Sequence, residues 1–214
     1  MTRAGPRARG RGSDRAPLQM VPTYPIETER LGLREMTQAD APFMLNLLNQ
    51  PSFILNIGDR GVRTLEDARA YIDNRVIASY TSHGFGMYLV VVKATGEPAG
   101  ICGLVKRDGL DDVDIGFAFV PEHWGKGYPV ESAQAVKDYA ANVVGLARLV
   151  AITAPTNWLS IRIVETIGFA FERMVRLTPE AAEVKLFSCS LERSPRRVLQ
   201  VARIQVPPTP CDQA

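Results

Sequence analysis

The sequence is short of the residues that announce most catalytic chemistries. Its two histidines, His83 and His123, stand far apart, so neither a catalytic triad nor a histidine metal site is expected. No Gly-x-Ser-x-Gly elbow is present either. The three cysteines, Cys102, Cys189 and Cys211, are widely separated and lack metal-ligand spacing. Cys102 and Cys189 sit in apolar runs and read as buried thiols rather than as a disulfide, which fits a reducing compartment. No apolar run approaches the length that crosses a bilayer, and the opening segment has no signal-peptide apolar core. An Arg-rich, acid-poor start also suits a transit peptide, but its Gly and Pro spoil the amphipathic helix such a peptide needs. Cytoplasm is the expected location.

A strong charge of one sign is missing too. The 214 residues carry a net charge of +2, which argues against a field that binds nucleic acid along the whole chain. The balance is uneven, however. Arg3, Arg7, Arg9, Arg11 and Arg15 face only Asp14 before residue 16, a local charge of +4, so the body of the chain is slightly acidic at −2. Residues 1–25 are rich in Arg, Gly and Pro and offer nothing to bury, so disorder is expected there. The tail 192–214 ends in a proline-rich run that reads as extended or flexible. Between them, residues 26–191 hold enough apolar residues for one core; the hydrophobic content of the chain is 46%.

Within that domain the periodicities give a strand around Leu31 and Leu33, then a helix from a Thr37/Asp40 capping box to about Asn49. A second amphipathic helix follows from Thr64/Asp67 to Ile77 and stops at Gly84. Three strands are expected at Phe85–Lys93, Ala99–Lys106 and Asp112–Val120. A helix from Tyr128 to about Val143, a strand at Arg148–Thr153, a helix from Asn157 to Ile167 and two closing strands, Phe169–Arg176 and Glu183–Ser190, complete the order. Mixed order of this kind predicts an α/β domain whose sheet is partly antiparallel.

The most informative segment is Val120-Pro121-Glu122-His123-Trp124-Gly125-Lys126-Gly127-Tyr128-Pro129-Val130-Glu131. A strand runs into a glycine turn and straight into a helix, an arrangement that offers backbone N–H groups and a positive helix end to phosphate. Gly125 and Gly127 let the backbone approach closely, and Lys126 adds charge. By itself a Gly-x-Gly turn is weak, and this one lacks both the Rossmann spacing and the P-loop ending. His123 beside the turn and His83 at a helix end read as structural or surface residues.

Context adds more. Trp124-Gly125-Lys126-Gly127-Tyr128 resembles the acetyl-CoA pyrophosphate loop of GNAT enzymes, in the form of their RimJ/RimL-like branch. Asn157-Trp158-Leu159-Ser160-Ile161-Arg162, running to Gly168-Phe169, resembles the second signature of that family. Asp114-Ile115-Gly116-Phe117 matches its acidic-Ile-Gly-aromatic strand, and Glu29-Arg30-Leu31 through Leu33-Arg34 looks like its first strand. The likeness covers about residues 26–191. It implies the GNAT fold, a mixed and mostly antiparallel sheet flanked by helices, and direct transfer of acetyl from acetyl-CoA to a primary amine in a ternary complex. No metal is implied. The expected partners are acetyl-CoA and an amine such as a protein N-terminus or a small molecule, with no nucleic acid and no membrane, in a monomer or a homodimer.

Residue by residue, the resemblance implies cofactor contacts from Phe119, Val120, Trp124, Gly125, Lys126, Gly127, Tyr128, Pro129, Asn157 and Ser160. A backbone N–H around Phe119 or Val120 would stabilise the oxyanion. Asp114 stands where the family has Glu and is the candidate base. Strand alternation puts Asp112, Asp114, Gly116 and Ala118 on one face, suited to a cleft floor, and Val113, Ile115, Phe117 and Phe119 on the core face. The alternative is that both acids merely face solvent at a sheet edge. The tyrosine many GNAT enzymes carry is replaced by Val164, so Ser160 or Asn157 is left to meet the sulfur or the pantetheine; a packed helix serine is the plain alternative for Ser160. Trp158 reads as a lid over the cofactor or as packing. Loops 54–63 and 178–182 are expected to choose the acceptor.

Pro129 departs most from the family, which has Gly or Ala there and uses its N–H as a phosphate donor. That departure, Val164 and the short Asp114 also suit a pseudoenzyme that binds acyl-CoA without catalysis. A third reading makes the basic arm an RNA- or ribosome-binding element, although no aromatics interleave with its arginines.

Overall fold

The structure, a computed structural model, describes residues 24–193. The expectations for most of the basic arm, for the tail and for Cys211 fall outside the described residues. Among the described residues eight strands form one sheet: β1 (Ile26–Glu27), β2 (Leu31–Arg34), β3 (Met87–Val92), β4 (Pro98–Val105), β5 (Asp114–Phe119), β6 (Arg148–Thr153), β7 (Ala170–Val175) and β8 (Val184–Ser190). Their order is β1-β2-β3-β4-β5-β6-β8-β7. Every neighbouring pair is antiparallel except β5 and β6, which run parallel and share the single bridge Asp114↔Val150.

Strand β3, Met-Tyr-Leu-Val-Val-Val, is buried on both faces, as β-branched and aromatic runs in a sheet interior usually are. Tyr88, Val90 and Val92 enter a cluster with Ala133, Val136 and Ala140. The last three belong to helix α5 (Tyr128–Tyr139) and the π-helical turn Ala140–Val144 that prolongs it. Leu89 and Val91 face the opposite way and pack with Met44, Leu47 and Leu48 of α1 (Ala41–Leu48) and with Ala68 of α3 (Leu65–Tyr71). The sheet is thus a central layer with helices on both sides.

Element types follow the sequence closely. The Thr64/Asp67 capping box forms, with Asp67 N–H donating to Thr64 Oγ1 at 3.1 Å and Thr64 N–H to Asp67 Oδ2 at 2.9 Å. From it α3 continues through the π-helical turn Ile72–Ile77 into α4 (Ala78–His83), and Gly84 closes the run in the left-handed region at φ 73°. Two corrections arise. A further helix, α2 (Pro51–Asn56), begins at a proline that suits a first turn. Asp112 lies before β5 rather than in it, because its carboxylate turns to Arg148, whose Nε donates at 2.8 Å. Cys102 is buried and free, and burial pushes its thiol up to about 12; Cys189 is free and only half-buried. Among the described residues no helix is long and apolar enough to cross a membrane.

The first helical segment is tied to the sheet by a fork. Arg34 donates from Nη1 and Nη2 to both oxygens of Asp40, at 2.8 and 2.6 Å, and Thr37 N–H donates to the same carboxylate at 2.8 Å. Burial disfavours the charge on Asp40, but Arg34 and the Thr37 amide outweigh it and hold the carboxyl below its ordinary value. That stabilisation is present above the unfolded Asp pKa and is lost as pH falls through the lower folded value. Asp40→Ala is expected to lower stability by about 1.5–3 kcal/mol at neutral pH. Urea melts of both proteins should show that difference shrinking as pH falls below the ordinary aspartate value and the carboxylate of the parent becomes protonated.

Candidate active site

Strand β5 keeps its ladder with β4 along its whole length, but leaves β6 almost at once. Val120 N–H donates to the Ala99 carbonyl at 3.1 Å, so even-numbered residues of β5 bond toward β4. Odd-numbered residues point the other way: the Val113 carbonyl accepts from Val150 N–H at 3.0 Å. Past that bridge no strand pairs with the far side of β5, so the amides of Phe117 and Phe119 face an opened gap. Val120 is therefore excluded as an oxyanion donor, since the sheet already uses its amide. The Phe119 carbonyl meets the Trp124 indole, which donates at 2.8 Å.

Below the gap, the chain passes a 3₁₀ turn at Pro121–His123 and reaches the glycines. Gly125 and Gly127 have φ values of 72° and 79°, in the left-handed region where a side chain is strained. Gly127 is the N-cap of α5, and Pro129 sits in the first turn without an N–H to offer. A second device, not read from the sequence, holds this turn. Arg30 donates Nη1–H to the Lys126 carbonyl at 2.9 Å and Nε–H to Glu131 Oε2 at 2.7 Å, and lies 4.9 Å from the centre of the Tyr128 ring. Burial opposes ionisation of Glu131, but Thr28 Oγ1–H at 2.6 Å and the amide and guanidinium of Arg30 prevail and lower its pKa.

The second signature forms α6 (Trp158–Thr166). Asn157 is its N-cap: the Oδ1 atom accepts from Ser160 N–H at 3.1 Å, which leaves its NH₂ to offer to a ligand. Trp158 is 64% exposed, so packing does not account for it, and it lines neither cavity.

Two cavities flank the gap. The smaller, about 280 Å³, holds Phe119, Trp124, Gly125 and Pro129. The larger, about 800 Å³, holds Asp114, Gly116, Arg107 and the exposed His83. They share Phe117, Ala118, Asn157 and Ser160, so two bound molecules would meet there. Parts of the loops expected to choose an acceptor, including Ile57, Arg60 and Ala181, line the larger cavity. So does a wall of Tyr71, Asn74, Arg75 and Ser79 that the sequence reading did not assign to the site.

Asp114 is neither at an edge nor in solvent. It is 1% exposed, with Oδ2 accepting from Arg107 Nε at 2.5 Å and Oδ1 from Ile152 N–H at 3.3 Å. Burial pushes its carboxyl up to about 6, against the opposing pull of Arg107. Arg107 was missed because nothing in sequence spacing marks a pair formed across a turn.

Residues 30–170 match the family model described as an acetyltransferase (GNAT) domain. The uncharacterised protein YkkB of Bacillus subtilis is 30% identical over 154 residues, 71% of this chain and 88% of YkkB. An acetyltransferase of Agrobacterium tumefaciens shares the fold with a TM-score of 0.65 at 25% identity, over 86% of this chain and 99% of that one. RimL, a ribosomal L7/L12 alpha-N-protein acetyltransferase solved with coenzyme A, superposes with a TM-score of 0.66 at 19% identity, over 78% and 97%.

The missing amide at Pro129 gives a direct test. A hydrogen bond to a charged group contributes about 1.5–3 kcal/mol, roughly 10–100-fold in binding. Lys126, the Tyr128 amide and the helix end still favour an anion. CoA is therefore expected to bind weakly and Pro129→Ala to bind it several-fold more tightly or better; calorimetry on the two proteins reads the difference, and equal affinities would show that the proline costs nothing.

Proposed function

Because the chain belongs to the GNAT acetyltransferase family and is an N-acetyltransferase, we propose that it moves the acetyl group of acetyl-CoA to a primary amine by direct attack. The observation that carries this reading is the opened side of β5, where two cavities meet beside unpaired backbone amides. The form of the Trp124–Tyr128 loop supports the RimJ/RimL-like branch, and cytoplasm is the proposed location.

In this reading the pyrophosphate lies on the turn of Gly125, Lys126 and Gly127 against the start of α5, with Arg30 and Glu131 holding the turn in shape. The pantetheine arm occupies the smaller cavity along Phe119, reached past Trp124, and Asn157 offers its NH₂ to a carbonyl of the arm. The thioester carbon then lies at Phe117 and Ala118. The donor for the oxyanion is accordingly the Phe117 amide, two residues earlier than the resemblance implied, because Phe119 lines only the cofactor side.

The acceptor enters through the larger cavity. Its amine nitrogen attacks the thioester carbon, the carbon–sulfur bond breaks, and CoA leaves as a thiolate, a tolerable anion since a thiol has a pKa of about 8.5. The amine must first lose a proton, and Asp114 receives it; the second proton, shed by the nitrogen as the amide forms, passes through water to the departing thiolate. Three residues of strand, about 10 Å, separate Asp114 from Phe117, so the first proton travels through water in the cavity. A carboxyl near pKa 6 is well matched to that task at neutral pH. Ser160, at the junction, is placed to donate to the departing sulfur.

Two measurements test the proposal. Acetyl-CoA at a hundred times its Kd should stabilise the fold by about 2.7 kcal/mol, visible as a thermal shift that adenosine alone does not produce. Asp114→Asn should cut turnover by roughly 10²–10⁴-fold and abolish the acid limb of the pH–rate profile. Arg107→Gln removes the charge that pulls Asp114 down, so it should move that limb to higher pH. A profile unchanged in both variants would remove Asp114 from the reaction.

A further inference from the structure

The larger cavity has a marked imbalance of charge. Arg60, Arg75, Lys106 and Arg107 line it, whereas Asp114 is its one lining carboxylate. Arg107 and Asp114 neutralise each other across 2.5 Å. Lys106 is held in place by its own loop, donating from Nζ to the carbonyls of Leu110 and Asp111 at 3.1 and 2.5 Å, so its charge stays uncompensated. Arg60 and Arg75 are exposed and form no ion pair with any described residue. Three acids on the neighbouring elements are turned elsewhere, Asp59 to Arg63, Asp73 to Gln38 and Glu183 to Arg176, while Asp108, Asp111 and Glu180 on adjacent loops do not line the cavity.

A cavity of this kind repels a polycation. A second ammonium on the acceptor would meet guanidinium groups with no carboxylate to receive it, and like charges brought together in a cleft work as a rejecting device. An anionic group has the opposite experience, because guanidinium offers a two-pronged donor that fits a carboxylate. The same cations disfavour the ammonium form of the reacting amine, which lightens the work of the base.

We propose that the acceptor is a primary amine that carries a carboxylate, held by Arg60 and Arg75 at the mouth of the larger cavity. This rests on the acetyl-transfer reading above and adds the class of substrate to it. The carboxylate belongs either to a small amino acid or to an acidic peptide beginning with a free amine, and the two sources separate experimentally.

The experiment measures kcat/KM with acetyl-CoA for matched acceptors: γ-aminobutyrate against its amide, and Ala-Asp-Asp-amide against Ala-Asn-Asn-amide, with spermidine alongside. The acid of at least one pair should be preferred roughly 10–100-fold, the range of a hydrogen bond to a charged group. The pair that shows the preference identifies the source. Arg60→Gln and Arg75→Gln, both at exposed positions, should bring the acid-to-amide ratio toward one, and added salt should erode it in the parent protein. Equal rates for acid and amide in both pairs, or faster acetylation of spermidine, would overturn the inference while leaving acetyl transfer intact. No transfer to any of the five amines, with acetyl-CoA binding followed by calorimetry in the same preparation, overturns the transfer reading and the inference together.

Discussion

The site depends on the parting of β5 from β6. A sheet interior normally leaves no backbone group free, since each unpaired N–H or C=O kept from water is costly. Here the ladder stops after Asp114↔Val150, and the carboxylate of Asp114 takes the Ile152 amide that a continuing ladder would use. The side chain thus finishes the job of the missing strand on one side of the parting. On the other, the backbone of Phe117 and Phe119 is left for a ligand, and the two cavities come together beside it. Burial of Asp114, its raised pKa and its contact with Arg107 all follow from that one position.

Much of this was legible in the residues. Caps and glycines marked helix ends well, because Thr64 with Asp67, Asn157 and Gly84 act through bonds and torsions within a few residues. The strand at Arg148–Thr153 was bounded correctly because its apolar run is short and sharply flanked. Alternation along β5 placed Asp114, Gly116 and Ala118 on the cleft side, but it also put Phe117 and Phe119 on the core face, and both line the cavities, while Asp112 lines neither. Helix α2 was hidden by Pro51, which reads as a breaker unless it falls at a first turn.

The contents of the site were less legible where they depended on distant partners. The exclusion of Val120 needs the strand register with Ala99. The Arg107–Asp114 pair crosses a turn, and the cationic wall of the larger cavity gathers Arg60, Arg75 and Lys106 from separate stretches of chain. No periodicity brings such residues together, since only the tertiary fold makes them neighbours. Parts of loops 54–63 and 178–182 line the larger cavity, yet the expectation that these loops choose the acceptor carried no sign of charge.

The bond between Arg30 and Glu131 has a consequence for how the molecule is made. It joins positions 101 residues apart, across nearly half the chain. Contacts of such separation close late, after loop entropy has been overcome by nearer ones. On the ribosome the glycine turn emerges long after Arg30, and takes its held shape only when the first strands have docked beside α5. On the acetyl-transfer reading proposed above, the turn gains its grip on a pyrophosphate only as the domain finishes folding, so an incompletely assembled chain would not sequester acetyl-CoA.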